Sequence, residues 1–111
     1  MPDIVINNRA FALDSEGYLV NLTDWHPELA DQLALREGIK LTPEHWEVIQ
    51  LLRDFYTKFE HSPAMRPLVK YIKQELGADK ANSIYLMQLF PQSPPKLGAK
   101  IAGLPRPANC L

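Results

Sequence analysis

The chain of 111 residues holds a single cysteine, Cys110, and that scarcity removes several chemistries at once. One thiol closes no internal disulfide, so the fold must stand on its core, and a lone sulfhydryl fits a reducing compartment. No uninterrupted apolar run is long enough to span a bilayer. The start, "MPDIVINNRAF", lacks the basic residues and apolar block of a secretory signal, and a cytoplasmic location is expected. Five scattered glycines make no phosphate-cradling loop. His26, His45 and His61 have neither metal-ligand spacing nor a Cys-x-x-Cys companion, so neither a metal nor another cofactor is expected. No pair of carboxylates stands out from the acidic helix faces as an acid–base couple.

What is present begins with 46% apolar residues, an ordinary share that can enclose a core. A chain of this length is expected to form one domain. Its net charge of −1 hides an uneven distribution. Residues 1–60 carry eleven acids against five bases, and residues 61–111 carry seven bases against two acids. The halves are therefore −6 and +5. Such polarity suits contact between the second half and an acidic surface or nucleic acid, although solvated helix faces produce the same pattern.

The first twenty residues read as strands. "IVI", "RAFAL" and "YLV" are separated by Asn7-Asn8 and by "DSEG", both turn formers. Paired asparagines tolerate the positive φ of a tight hairpin, and a small antiparallel meander is expected to pack on something larger. Helices follow. "TDWHPELADQLALREGI" places Trp25, Leu29 and Leu33 in a helical stripe, with Thr23 or Asp24 as cap and Gly38 as terminator. "LTPEHWEVIQLLRDFYTKFE" opens on Thr42 and Pro43 and supplies the central helix, its aromatic residues read as core. "SPAMRPLVKYIKQELG" gives a third helix ending at Gly77, and "ADKANSIYLMQLF" a fourth. Joined closely at Gly77, these two resemble a helix-turn-helix unit. "PKLGAKIAG" reads as a short fifth helix. The expected division is a folded body over residues 1–93 and a proline-rich, mobile C-terminal arm over residues 94–111.

That arm carries the chemistry. An extended path from Leu104 to Cys110 spans about 19 Å, enough to cross an active-site cleft. Pro105 and Pro107 limit the conformations lost when such an arm docks. At a distance of ~6 Å in water, the neighbouring C-terminal carboxylate disfavours the thiolate by about 0.7 kcal/mol, half a pK unit. Arg106 and Lys100 act in the opposite sense. The thiol is thus of ordinary reactivity, and activation falls to a partner's pocket.

Taken together, "EGIKLTPEHWEVIQLLRDFY", "SPAMRPLVK", "YLMQLFP" and the terminal "KIAGLPRPANC" resemble the DsrC/TusE family of small sulfur carriers over nearly the whole chain. The resemblance implies an α+β fold in which a β-hairpin or meander packs on an array of about five helices and a mobile arm carries the reactive thiol. It makes Cys110 the persulfide acceptor, with Arg106 and Lys100 as residues that orient the arm or stabilise sulfur anions. Members serving dissimilatory sulfite reductase have a second arm cysteine where this chain has Ala99. A single thiol cannot close the internal disulfide, which points to the TusE branch. The implied activity is sulfur transfer from a TusBCD-like complex to an MnmA-like tRNA 2-thiouridylase with its tRNA, for wobble 2-thiouridine synthesis. Two other readings stand beside it. One is a single-cysteine DsrC-like paralogue that regulates or serves sulfur oxidation and sulfite metabolism. The other is a helix-turn-helix nucleic-acid binder, against which "ANSIYLMQLF" offers few base-reading side chains and the pI of about 6.3 is low.

Overall fold

A computed structural model describes residues 3–108 of the chain. It is an α+β structure. Strands β1 (Asp3–Ile6) and β2 (Arg9–Ala12) pair antiparallel with Ile4 opposite Phe11 and Ile6 opposite Arg9. Asn7 and Asn8 make the turn at φ 51° and 67°, the conformation a two-residue hairpin loop demands of both its central residues. The expected third strand shrinks to one bridge between Leu13 and Leu19. The Asp14 carboxylate accepts from the backbone N–H groups of Glu16 and Tyr18, both at 2.9 Å, and turns the chain before a longer ladder can form.

Among the described residues five α-helices follow: α1 (Pro27–Arg36), α2 (Pro43–Phe59), α3 (Met65–Leu76), α4 (Ser83–Leu89) and α5 (Pro94–Ile101). Helix α2 starts as its sequence demands. Thr42 caps it and Pro43 occupies the first turn. His45, in the first turn of α2, is buried. Its Nδ1 accepts from the Thr42 N–H at 3.0 Å, its Nε2 donates to the Leu89 carbonyl at 2.8 Å, and its ring meets Phe90 edge-on. One imidazole thus serves a cap on α2 and the end of α4.

Two expectations at helix starts are revised. Trp25 does not belong to α1. It follows a 3-10 turn, Leu22–Asp24, capped by Asn21, and α1 begins behind His26 without a side-chain cap. Helices α3 and α4 do not meet at Gly77 itself. A second 3-10 turn, Ala78–Lys80, intervenes, and Asn82 caps α4 through the Tyr85 N–H at 2.8 Å.

The hairpin closes over Leu29 and Leu33 of α1 in a small apolar cluster, while the main core gathers α2, α3, α4 and α5 around Leu52, Leu68, Ile72 and Phe90. Trp25 packs against both. Helix α5, on the far side of the expected boundary at residue 93, lies in this core: Ala99 and Ile101 are fully buried. Gly98 makes that possible, because a Cβ there would stand 2.8 Å from a Leu52 methyl. Packing continues past the helix through Leu104 and Pro107. Among the described residues, no helix is long and apolar enough to cross a membrane.

This arrangement predicts a sharp contrast across α4. Phe90→Ala, at a fully buried site, should lower stability by about 3–5 kcal/mol. Ile84→Ala, 73% exposed, should change it by less than about 0.5 kcal/mol. Urea denaturation of both variants checks the pair, and comparable losses would contradict this core assignment.

Candidate functional site

The thiol that the sequence singles out, Cys110, lies outside the described residues. What the structure does describe is the strap leading to it. Helix α5 ends in a tight reversal: Gly103 adopts φ +71°, its N–H reaches the Lys100 carbonyl at 3.3 Å, and the Leu104 N–H reaches the Ala99 carbonyl at 2.9 Å. This is the Schellman arrangement, which satisfies two of the four carbonyls a helix leaves open at its C-terminus. Side chains take the other two. The Trp25 indole Nε1–H donates to the Ile101 carbonyl at 3.0 Å, and the Arg53 guanidinium donates to the Ala102 carbonyl at 2.7 Å. The guanidinium also stacks on the Trp25 ring, 3.9 Å from its centroid. A cation at a helix C-terminus is favoured by the helix dipole as well.

Gly103 is the residue this geometry cannot replace. A Cβ there would lie 2.2 Å from Trp25 Cδ1. Beyond it, the Ser62 hydroxyl donates to the Pro105 carbonyl at 2.6 Å. Burial lowers the Arg53 pKa from its ordinary value, because desolvation disfavours the charged form.

The two cations selected from the sequence lie on the other side of the strap, each beside a carboxylate. Lys100 Nζ is 3.6 Å from Glu37 and 5.3 Å from the centre of the Tyr18 ring. Arg106 meets Glu16 at 3.2 Å, with both side chains about half exposed. These residues border a cleft of about 230 Å³ that also includes Ser93 and Lys96. Each positive charge is thus partly answered, and both pairs tie the strap to the first forty residues of the chain. At the exposure of Arg106 and Glu16 an ion pair contributes at most about 1 kcal/mol.

The three histidines do not converge. His26 donates to the Asp24 carbonyl at 3.0 Å and His61 to the Phe59 carbonyl at 2.9 Å, while His45 is engaged within the core. Sequence reasoning took Trp25 as part of a helix stripe and missed the roles of Trp25, Arg53, Ser62 and Gly103. One local signal was available: glycine, then leucine, then proline directly after a helical segment is the pattern of a Schellman end followed by a chain that cannot stay helical.

Fold and site together define a small α+β protein whose body grips a C-terminal strap by its main chain and leads it outward to an exposed Ala108. Residues 5–111 match the family model described as DsrC like protein. Sulfurtransferase TusE of Escherichia coli (strain K12) is 46% identical over 108 residues, covering 97% of this chain and 99% of that protein. Sulfurtransferase TusE of Buchnera aphidicola subsp. Acyrthosiphon pisum (strain APS) is 52% identical over 98 residues, 88% of this chain and 86% of that one. The NMR structure of Allochromatium vinosum DsrC superposes with a TM-score of 0.89 at 44% identity, covering 98% of this chain and 97% of the other. The oxidized gamma-subunit of the dissimilatory sulfite reductase (DsrC) from Archaeoglobus fulgidus gives 0.87 at 38% identity, with 99% and 100% covered. The chain belongs to the DsrC/TusE family, in its TusE branch, and its role is that of a sulfurtransferase.

The close approach of Gly103 to Trp25 separates two glycines of similar backbone. Gly38→Ala, at φ +77° with nothing within 4 Å, should cost only the left-handed conformation, about 1 kcal/mol. Gly103→Ala adds a steric conflict and should cost about 2–4 kcal/mol. Equal shifts in the denaturation midpoints would show that Trp25 yields without penalty.

Proposed function

We propose that the protein is a single-thiol sulfur relay. Cys110 accepts sulfur from a TusBCD-like complex and hands it to an MnmA-like tRNA 2-thiouridylase for wobble 2-thiouridine synthesis. The observation that carries this reading is positional: the only cysteine lies two residues beyond Ala108, where a strap held by its backbone reaches the surface. Membership in the TusE branch supports it.

Two exchanges complete a cycle. In the first, the Cys110 thiolate attacks the outer sulfur of a donor persulfide. The Cys110 S–S bond forms, the donor S–S bond breaks, and the donor leaves as a thiolate, with Cys110 now bearing S–SH. In the second, an acceptor cysteine thiolate attacks that outer sulfur, and Cys110 is released as thiolate. Sulfur moves with no net oxidation, so no external oxidant or reductant enters the relay itself. Ala99 bears on the choice of branch. It is fully buried in α5 and carries no second thiol, so the chain can hold one sulfur terminally but cannot bridge two positions of its own arm. Lys100 and Arg106 orient the strap through Glu37 and Glu16. The contact surface for tRNA or for either protein partner is not needed for this cycle to balance.

The similarity to DsrC structures supports a second reading, a single-cysteine paralogue acting in sulfur oxidation or sulfite metabolism. Deletion of the gene separates the two, since only the first predicts loss of 2-thiouridine from tRNA nucleosides. Within the first reading, Cys110→Ser should abolish 2-thiouridine formation and remove the mass gain of one sulfur atom after exposure to a persulfide donor. Its unfolding midpoint should match that of the unaltered protein. Wild-type levels of thiolated tRNA in the serine variant would end the relay reading.

A further inference from the structure

Three side chains from separate parts of the sequence converge on the strap: Trp25 from the turn before α1, Arg53 from α2 and Ser62 from the α2–α3 connection. All three grip main-chain carbonyls, those of Ile101, Ala102 and Pro105, at 3.0, 2.7 and 2.6 Å. We propose that they are positioning residues for sulfur transfer, fixing the point from which Cys110 is offered to its partners. This rests on the relay reading above.

The argument is one of anchors and reach. After Pro105 the remaining ties among those described are the burial of Pro107, which is apolar packing alone, and the exposed Arg106–Glu16 pair, which salt screens. Among the described residues, the Ser62–Pro105 bond is therefore the side-chain grip on the main chain nearest the thiol. Proline's locked φ carries that fixing into the next residues. Cys110 comes five residues after Pro105, so its Cα is confined to within about 18 Å of the anchor. Slackening the anchor adds several residues to the tether and dilutes the thiol over a larger volume, which lowers its effective concentration at a docked active site. Arg53 suits this task better than lysine would, since a planar guanidinium can stack on Trp25 and donate in its own plane at once. Such a grip acts on the position of the sulfur while leaving its intrinsic reactivity alone.

The test separates position from chemistry in the full-length protein. A spin label on Cys110 and a second on Gln50→Cys, an exposed site on α2, report the spread of distances between chain end and body. Ser62→Ala and Trp25→Phe each delete one donor to the strap. Ser62→Ala, which frees the grip nearest the thiol and lengthens the tether, should widen that spread about twofold, and Trp25→Phe, acting further back at Ile101, should widen it less. In unlabelled protein carrying native Gln50, sulfur uptake from a small alkyl persulfide should be unchanged in both variants. Transfer from the loaded protein to the thiouridylase with its tRNA should fall about tenfold, the equivalent of one such bond. Distance spreads identical to the parent protein in both variants would overturn the proposal. So would widened spreads with transfer undiminished. If the unaltered protein takes up sulfur but passes none to the thiouridylase, the relay reading fails on its own, and the label distances still decide whether these residues position the chain end.

Discussion

A short helix buried against a core has a problem at its C-terminus: four carbonyls without partners, in surroundings from which water is largely removed. Each orphan would cost about 1–3 kcal/mol. The end of α5 meets this fully. Ala99 and Lys100 are answered by the backbone of the Gly103 reversal, and Ile101 and Ala102 by the Trp25 indole and the Arg53 guanidinium. The rest of the molecule is arranged around this closure. Arg53 must stand at a fixed turn of α2, which the Thr42 cap and the buried face of that helix hold in register. Trp25 must be held between the hairpin cluster and the main core, so the small sheet serves as more than a cover. Gly103 must be glycine.

How much of this could be read beforehand follows from the range of each signal. Local patterns carried the helices: Thr42-Pro43 opened α2, Gly77 ended α3, and the Asn7-Asn8 turn set the hairpin. After Leu13 the β structure is shorter than strand propensity implies, because Asp14 uses its carboxylate for the local turn, a choice that propensity does not register. Trp25 departs from its local pattern for a related reason. Its spacing to Leu29 and Leu33 fits a helix stripe, yet its indole is needed by a helix end that comes seventy-six residues later in the chain. His45 likewise joins α2 to the end of α4 through a carbonyl forty-four residues away in sequence. Long-range pairing of this kind leaves no periodic trace.

The C-terminal region shows the same division. Its cysteine and prolines were plain in the sequence, and so was the short helix before them. That α5 would lie deep in the core was not, since its composition alone resembles a linker. Pro94 and Pro95 fall in the first turn, where absent N–H groups are no loss, and Gly98 and Ala99 are small because Leu52 and its neighbours approach closely. Residues that look like marks of disorder are here adaptations to close packing.

This changes what the cations near the strap can do. Lys100 and Arg106, read from sequence as neighbours of a reactive sulfur, each face a carboxylate on the other side of the strap. A cation already paired offers less stabilisation to a second anion, because the two anions repel and compete for the same donors. On the relay reading, their proposed part is thus to steady the strap through Glu37 and Glu16. The same reasoning favours activation by the partner. A thiolate held strongly ionised on the free protein would also be a poorer nucleophile and would react with any oxidant it met. On the relay reading proposed above, a thiol carried on a strap whose base is fixed is activated inside a partner pocket that supplies the positive charge.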